Sequence, residues 1–178
     1  LKGAKMAPQT ILNGKVSPHR VWDSTVLPLA GIRAIKERIE GATVNDVILT
    51  VIGGGLRKYL QQRKALPKDS LTAMAPISVR AEGEKEALGN LVSAMLVQLG
   101  THIEDPMERL AFVRKEALNS KAMTNAVGAR TLTEYSQFIP SGLAGLGARL
   151  YSRLGVSNLH SPVFNVVATN VPGPRVPL

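Results

Sequence analysis

The stretch Thr43–Leu60 sets the strongest constraint on what this chain can become. It reads Thr-Val-Asn-Asp-Val-Ile-Leu-Thr-Val-Ile-Gly-Gly-Gly-Leu-Arg-Lys-Tyr-Leu. Thr43 followed three residues later by Asp46 is the pattern of a capping box. The hydroxyl accepts the N–H of Asp46, and the carboxylate accepts the N–H of Thr43. Gly41, just before it, ends the preceding segment. Val44, Val47, Ile48, Leu49, Val51 and Ile52 follow with little polar interruption, which predicts a helix buried on most sides. Gly53, Gly54 and Gly55 each weaken a helix by about 1 kcal/mol relative to Ala. Three together predict that another backbone passes close by. Arg57, Lys58 and Tyr59 return the far end to water. Asn45 and Asp46 then sit at the positive end of a buried helix, where a carboxylate is stabilised by the macrodipole. The pair either caps the helix only or also shapes a site, and both readings stay open.

The rest of the chain alternates strand and helix patterns. Residues 1–18 carry Lys, Gly and Pro without periodicity and read as a lead-in loop or linker. Residues 20–27, Arg-Val-Trp-Asp-Ser-Thr-Val-Leu, are rich in β-formers and predict a strand. Pro28 opens a helix over about 28–39, with Leu29, Ile32, Ile35 and Ile39 on one face. Residues 64–70 form a turn. Strands are predicted at 71–79 and 91–99, the first carrying Pro76, which marks an edge or bulge. Between them lies a charged loop. Asp105-Pro106 opens a helix to about 122, with Leu110, Val113, Ala117 and Leu118 inward. Helical pieces are predicted at about 125–138 and 141–154, and a buried strand at 163–169. Asn170-Val171-Pro172-Gly173-Pro174 forces a loop. The class is α/β.

Composition narrows the partners. A chain of 178 residues can bury a real core. Its 22 basic and 13 acidic residues leave +9, which favours acidic partners such as phosphates, phosphate-bearing substrates, anionic lipid or nucleic acid. Cys is absent, so there is no disulfide framework and no thiolate metal site, which suits a reducing cytosol. No apolar run reaches the length of about 18 residues that a spanning helix needs.

Several motifs taken in order resemble the bacterial bifunctional wax ester synthase/acyl-CoA:diacylglycerol acyltransferase family. They are Thr43-Val44-Asn45-Asp46-Val47, Pro76-Ile77-Ser78-Val79-Arg80, Gly89-Asn90 and Phe164-Asn165-Val166-Val167-Ala168-Thr169-Asn170-Val171-Pro172-Gly173-Pro174. Leu12-Asn13-Gly14 followed by Arg20 also fits. The resemblance runs from about residue 8 to 178. It implies a chloramphenicol-acetyltransferase-like fold, in which two α/β halves face each other across a channel. Residues 19–178 would be the C-terminal half, a mixed sheet with flanking helices, incomplete at its end. The implied reaction moves a long-chain fatty acyl group from acyl-CoA, as substrate, to diacylglycerol or a long-chain alcohol. No tightly bound cofactor is implied.

The family's catalytic signature is His-His-x-x-x-Asp-Gly, whose second His is the general base. This sequence lacks it, so the resemblance implies a missing N-terminal half as partner and no catalytic base in this chain. His19-Arg20-Val21-Trp22-Asp23 spells His-x-x-x-Asp, but Pro18 precedes it and Ser24 follows it. His102 and His160 are single and read as loop residues. No metal site is expected.

Other parts of an acyl-transfer site are predicted here. Thr169 and Asn170 lie at a strand end, in front of a loop stiffened by Pro172, Gly173 and Pro174. They either offer donors to an oxyanion or mark a rigid crossover between halves. Asp46 needs a cation, and Arg80 is the first candidate. Arg57, Lys58, Arg63, Lys64 and Lys68 suit coenzyme A phosphates but equally suit solvated helix ends. Leu143, Leu146, Leu150 and Leu154 recur with Arg149 and Arg153, a pattern that fits a lipid interface or an ordinary core stripe. The expected location is cytoplasmic, peripheral to a membrane or lipid bodies. Two rival readings remain: a non-catalytic, basic, membrane-peripheral interaction module of the same fold, and a nucleic-acid-binding domain. Aromatic content of 4% gives the second few stacking platforms, so no nucleic acid is expected.

Overall fold

The computed structural model describes residues 6–14, 18–78, 92–127 and 161–171. A single 3-10 turn, Ile11–Asn13, leads into helix α1 (Leu29–Lys36) and helix α2 (Val44–Gln62). Strands β1 (Thr72–Ser78) and β2 (Val92–Gln98), helix α3 (Pro106–Val127) and strand β3 (Val166–Val167) follow. The predicted capping box opens α2. Asp46 N–H donates to Thr43 Oγ1 at 3.2 Å, and Thr43 N–H donates to Asp46 Oδ2 at 2.8 Å. Asp105 starts α3 the same way, its Oδ1 accepting the N–H groups of Met107 and Glu108 at 2.8 Å each.

The sheet runs β2-β1-β3 and is mixed: β1 pairs antiparallel with β2 and parallel with β3. The parallel ladder covers only Ala73–Val166 and Met74–Val167. Asn165 N–H donates to Thr72 O, and Ala168 N–H donates to Met74 O. Residue 76 is the next position of β1 facing that side, and it is Pro76, which has no N–H to give. The predicted edge character of Pro76 thus has a specific consequence, since the ladder to β3 stops there. Ala73 and Ala75 of β1 and Met95, Val97 and Leu99 along β2 form one buried face. Leu49 of α2 and Val113 and Ala117 of α3 cover it. A fully buried Leu or Val of this kind contributes roughly 1.5–3 kcal/mol.

The glycine run does bring backbones together. A β-carbon on Gly53 would sit inside van der Waals contact of the Leu99 carbonyl oxygen. Helix α2 therefore crosses the end of β2 with no side chain between them. One on Gly54 would lie 2.8 Å from Arg109 Nη1, while Gly55 faces open space.

Five expectations need correction. Residues 20–27 form no strand: they carry no regular structure, and Val21, Trp22 and Val26 are 98, 88 and 92% exposed. β-propensity is realised only against a neighbouring strand, and none of the described strands pairs with this segment. Helix α2 is buried along one face (Asp46, Val47, Leu49, Thr50, Gly53, Leu60), not on most sides, and Val51 is exposed. Leu118 points outward, because the buried stripe of α3 is Leu110, Val113 and Ala117. The strand predicted at 163–169 contracts to Val166–Val167. Helix α1 is also shorter than expected and has no buried residue. The helices predicted past residue 127, including Ser141–Leu154, and the loop at 80–90 lie outside the described residues. No helix among the described residues is long and apolar enough to cross a membrane.

Candidate active site

Helix α2 begins where β3 ends, and the junction gathers the polar residues singled out by the sequence. Asp46 is 2% exposed. Its Oδ2 accepts from the Thr43 N–H and from the Thr43 hydroxyl, both at 2.8 Å. It also faces Arg114 Nη1 at 3.6 Å. The cation beside Asp46 is therefore Arg114 of α3; Arg80 lies outside the described residues. A β-carbon on Gly41 would lie 2.8 Å from Arg114 Nη2, and Gly41 has φ +67°, so glycine serves there in both respects. The guanidinium is held between the turn before α2 and the carboxylate that caps it.

Asn45, one residue before Asp46, is half-buried. The Asn170 amide donates to Asn45 Oδ1 at 3.4 Å. Two asparagines from opposite ends of the sequence thus meet at the α2 N-terminus. The Asn45 NH2 has no partner among the described residues. Thr169 is exposed beside them. A cavity of about 80 Å³ opens between Thr43, Asn45, Asp46, Met95 of β2, and Arg114 and Lys121 of α3. Its size admits two or three waters, at about 30 Å³ each. Ligand sites usually run to about 300–1,000 Å³.

The junction brings together Thr43, Asn45, Asp46, Thr169 and Asn170. Arg80, Gly89, Asn90, Pro172, Gly173 and Pro174 lie outside the described residues. Arg114 and Lys121 were not foreseen, although a signal for them exists. Residues 110, 114, 117 and 121 share one helical stripe, so two cations interrupt an apolar face. Asn165 was quoted as part of a motif without a role. It is 7% exposed and fully used: its Oδ1 accepts from Thr72 N–H at 2.9 Å, and its amide donates to Pro8 O and Asn13 Oδ1, both at 2.7 Å. Ala7 N–H also donates to Pro162 O at 2.9 Å. These bonds tie the lead-in segment to the approach to β3.

His19, His102 and several described cations lie elsewhere in the fold, and His160 lies outside the described residues. His102 lies edge-on to Phe112, with ring centroids 5.2 Å apart. His19 is exposed. Arg57 donates to Thr101 O at 2.9 Å and His102 O at 3.2 Å, and pairs with Glu104 at 3.6 Å. Arg63 lies over the Tyr59 ring at 5.1 Å. Arg109 is 5% exposed and donates to Ile103 O and Glu104 O. Burial lowers its pKa from the usual arginine value, nearby Arg57 lowers it further, and Asp105 opposes both. No cluster of metal-ligating side chains occurs among the described residues.

Comparison with known proteins bears on family and fold. Residues 88–178 match the family model described as the WS/DGAT C-terminal domain. A Mycobacterium tuberculosis chain assigned as a diacylglycerol O-acyltransferase is 37% identical over 176 residues, covering 98% of this chain and 34% of that one. An O-acyltransferase of Acinetobacter baylyi is 34% identical over 174 residues, covering 97 and 36%. The solved wax ester synthase/diacylglycerol acyltransferase from Marinobacter aquaeolei VT8 superposes with a TM-score of 0.66 at 29% identity, covering 94% of this chain and 35% of that one. The chain thus spans about a third of the length of the relatives it matches. The expected fold is borne out: a mixed sheet with flanking helices of the CoA-dependent acyltransferase type.

Proposed function

The chain belongs to the wax ester synthase/diacylglycerol acyltransferase family, and on that premise we propose that it forms one wall of an O-acyltransferase site. The reaction moves a long-chain fatty acyl group from acyl-CoA to diacylglycerol or a long-chain alcohol, giving triacylglycerol or wax ester. The observation that carries this reading is the meeting of Asn45 and Asn170 beside the buried Asp46 and its half-buried partner Arg114.

In such a transfer the acceptor hydroxyl adds to the thioester carbonyl while a base takes its proton. Negative charge collects on the carbonyl oxygen. Collapse of the adduct breaks the C–S bond, and coenzyme A leaves as the thiol after taking a proton. The developing oxyanion needs fixed donors within about 2.7–3.1 Å. The Asn45 NH2 and the second hydrogen of the Asn170 amide are donors of that kind at an open edge. The capping box and Arg114 keep the helix end that carries Asn45 in place, so little reorganisation accompanies the charge. The base belongs to the other wall, since the family's His-His-x-x-x-Asp-Gly signature does not occur in this sequence. The cavity of about 80 Å³ beside Asn45 is too small to hold a fatty acyl chain by itself. Lipid acceptors and products suit a cytoplasmic position against a membrane or a lipid body.

The test is release of coenzyme A thiol from palmitoyl-CoA, with dioleoylglycerol or hexadecanol as acceptor. The assembled enzyme, this chain together with its complementary part, is expected to release thiol and form ester in equal amounts. Thiol release that does not depend on either acceptor contradicts the reading.

A further inference from the structure

Strand β1 is paired unequally on its two sides. Its ladder with β2 covers all 7 residues, from Thr72 opposite Gln98 to Ser78 opposite Val92, and runs straight through Pro76, which faces Ala94. Its ladder with β3 stops at Met74 and Val167. β1 thus remains a strand past Pro76, and a longer β3 would have had a backbone to lie against. Proline in a sheet is ordinarily confined to an edge or a bulge, because a central position calls for its N–H. Pro76 sits in the middle strand of the described sheet, and it is exposed.

The register identifies the bonds that are withheld. Met74 O accepts the Ala168 N–H at 3.0 Å. A parallel ladder repeats at every second residue. The next rung would join the N–H of residue 76 to Ala168 O, and the Asn170 N–H to the carbonyl of residue 76. Pro76 has no hydrogen to give, and its ring occupies the space where that hydrogen would point. β3 ends at Val167. Asn170 lies just beyond, and its side chain donates to Asn45 Oδ1 at 3.4 Å. A strand held by the missing rung would keep the backbone of residue 170 against β1.

We infer that Pro76 is a positioning residue for the transfer. By withholding one N–H from the middle of the sheet, it makes β3 part from β1 after Ala168 and turns Asn170 toward Asn45 at the start of α2. The catalytic value of that placement rests on the reading of Asn170 as an oxyanion donor. The parting of the strands does not.

Giving residue 76 an N–H tests this. In the assembled enzyme, Pro76→Ala is expected to close the missing rung. Hydrogen exchange should then show a protected amide at residue 76, and an Asn170 amide that exchanges about tenfold or more slowly than in the parent. With palmitoyl-CoA and hexadecanol, kcat should fall by about tenfold or more while KM for palmitoyl-CoA holds, because a displaced oxyanion donor is missed only in the transition state. Added to Asn170→Ala, the same change should cost nothing further, since both act through one side chain. Pro76→Thr, whose branched side chain favours a strand, should act at least as strongly and carries the same test where the alanine variant is unstable. A residue-76 amide that exchanges as fast as in an unfolded chain overturns the inference. So does a fall in kcat that tracks a lower urea midpoint and adds to that of Asn170→Ala, for that is ordinary packing. Unchanged kcat in Pro76→Ala, with Asn170→Ala impaired, overturns it as well. A closed rung in an enzyme indifferent to both substitutions leaves the parting of the strands standing and removes the donor reading.

Discussion

The two ends of α2 handle buried charge in opposite ways. Near its C-terminal half, Arg57 and Arg109 grip the turn that follows β2: both donate to its backbone carbonyls, and Arg57 also pairs with Glu104. Glycine at 53 and 54 lets the helix sink onto Leu99 and Arg109. At the N-terminus, Asp46 is equally buried, but the residue beside it keeps an unused amide at the mouth of a cavity. The first arrangement spends its cations on the backbone carbonyls of one turn and reads as scaffold. The second holds a polar group in place without consuming it, which is what a reacting centre requires.

The largest expected effect belongs to the closed end. Gly53→Ala drives a β-carbon into the Leu99 carbonyl and should destabilise the chain by about 3 kcal/mol, as overpacking against backbone does. Urea unfolding reads it as a lower midpoint at an unchanged slope. Arg109→Ala comes next. It strips donors from Ile103 O and Glu104 O and removes the stem packed on Gly100, at about 2 kcal/mol. Its turnover in the assembled enzyme, measured below the unfolding range, should stay within about twofold of the parent. A selective loss of turnover there would break the contrast between the two ends. Thr43→Ala removes one half of the capping box and should cost about 1 kcal/mol. Because the cap orients Asn45, it should lower turnover more than Arg109→Ala does, despite the smaller loss of stability. The reverse ranking would mean that the α2 N-terminus is scaffold as well.

What could be read in the sequence was what local chemistry decides. Thr43 with Asp46, and Asp105 before Pro106, announce helix starts because the capping bonds span only a few residues. The glycine run announced a close backbone because a missing β-carbon has few other uses at a helix centre. Pro76 announced an edge or bulge because it lacks a donor; β1 is the central strand, yet beyond Met74 it has no β3 partner. Arg-Val-Trp-Asp-Ser-Thr-Val-Leu misled because strand preference belongs to a pair of strands, and no described strand lies along it. Arg114 escaped because nothing near it in sequence indicates Asp46, 68 residues earlier; the contact exists only once α3 lies beside α2. Asn170 was singled out by resemblance, yet its partner Asn45 comes from folding, across a separation of 125 residues.

The central claim is that the β3 end and the α2 start jointly supply oxyanion donors. The most direct measurement is kcat for acyl transfer by the Asn170→Ala variant of the assembled enzyme, with the urea midpoint taken on the same sample. The account predicts a fall in kcat of roughly 10²-fold, the usual cost of one oxyanion donor, with stability changed by less than about 0.5 kcal/mol at this exposed position. Unchanged kcat at unchanged stability would contradict it.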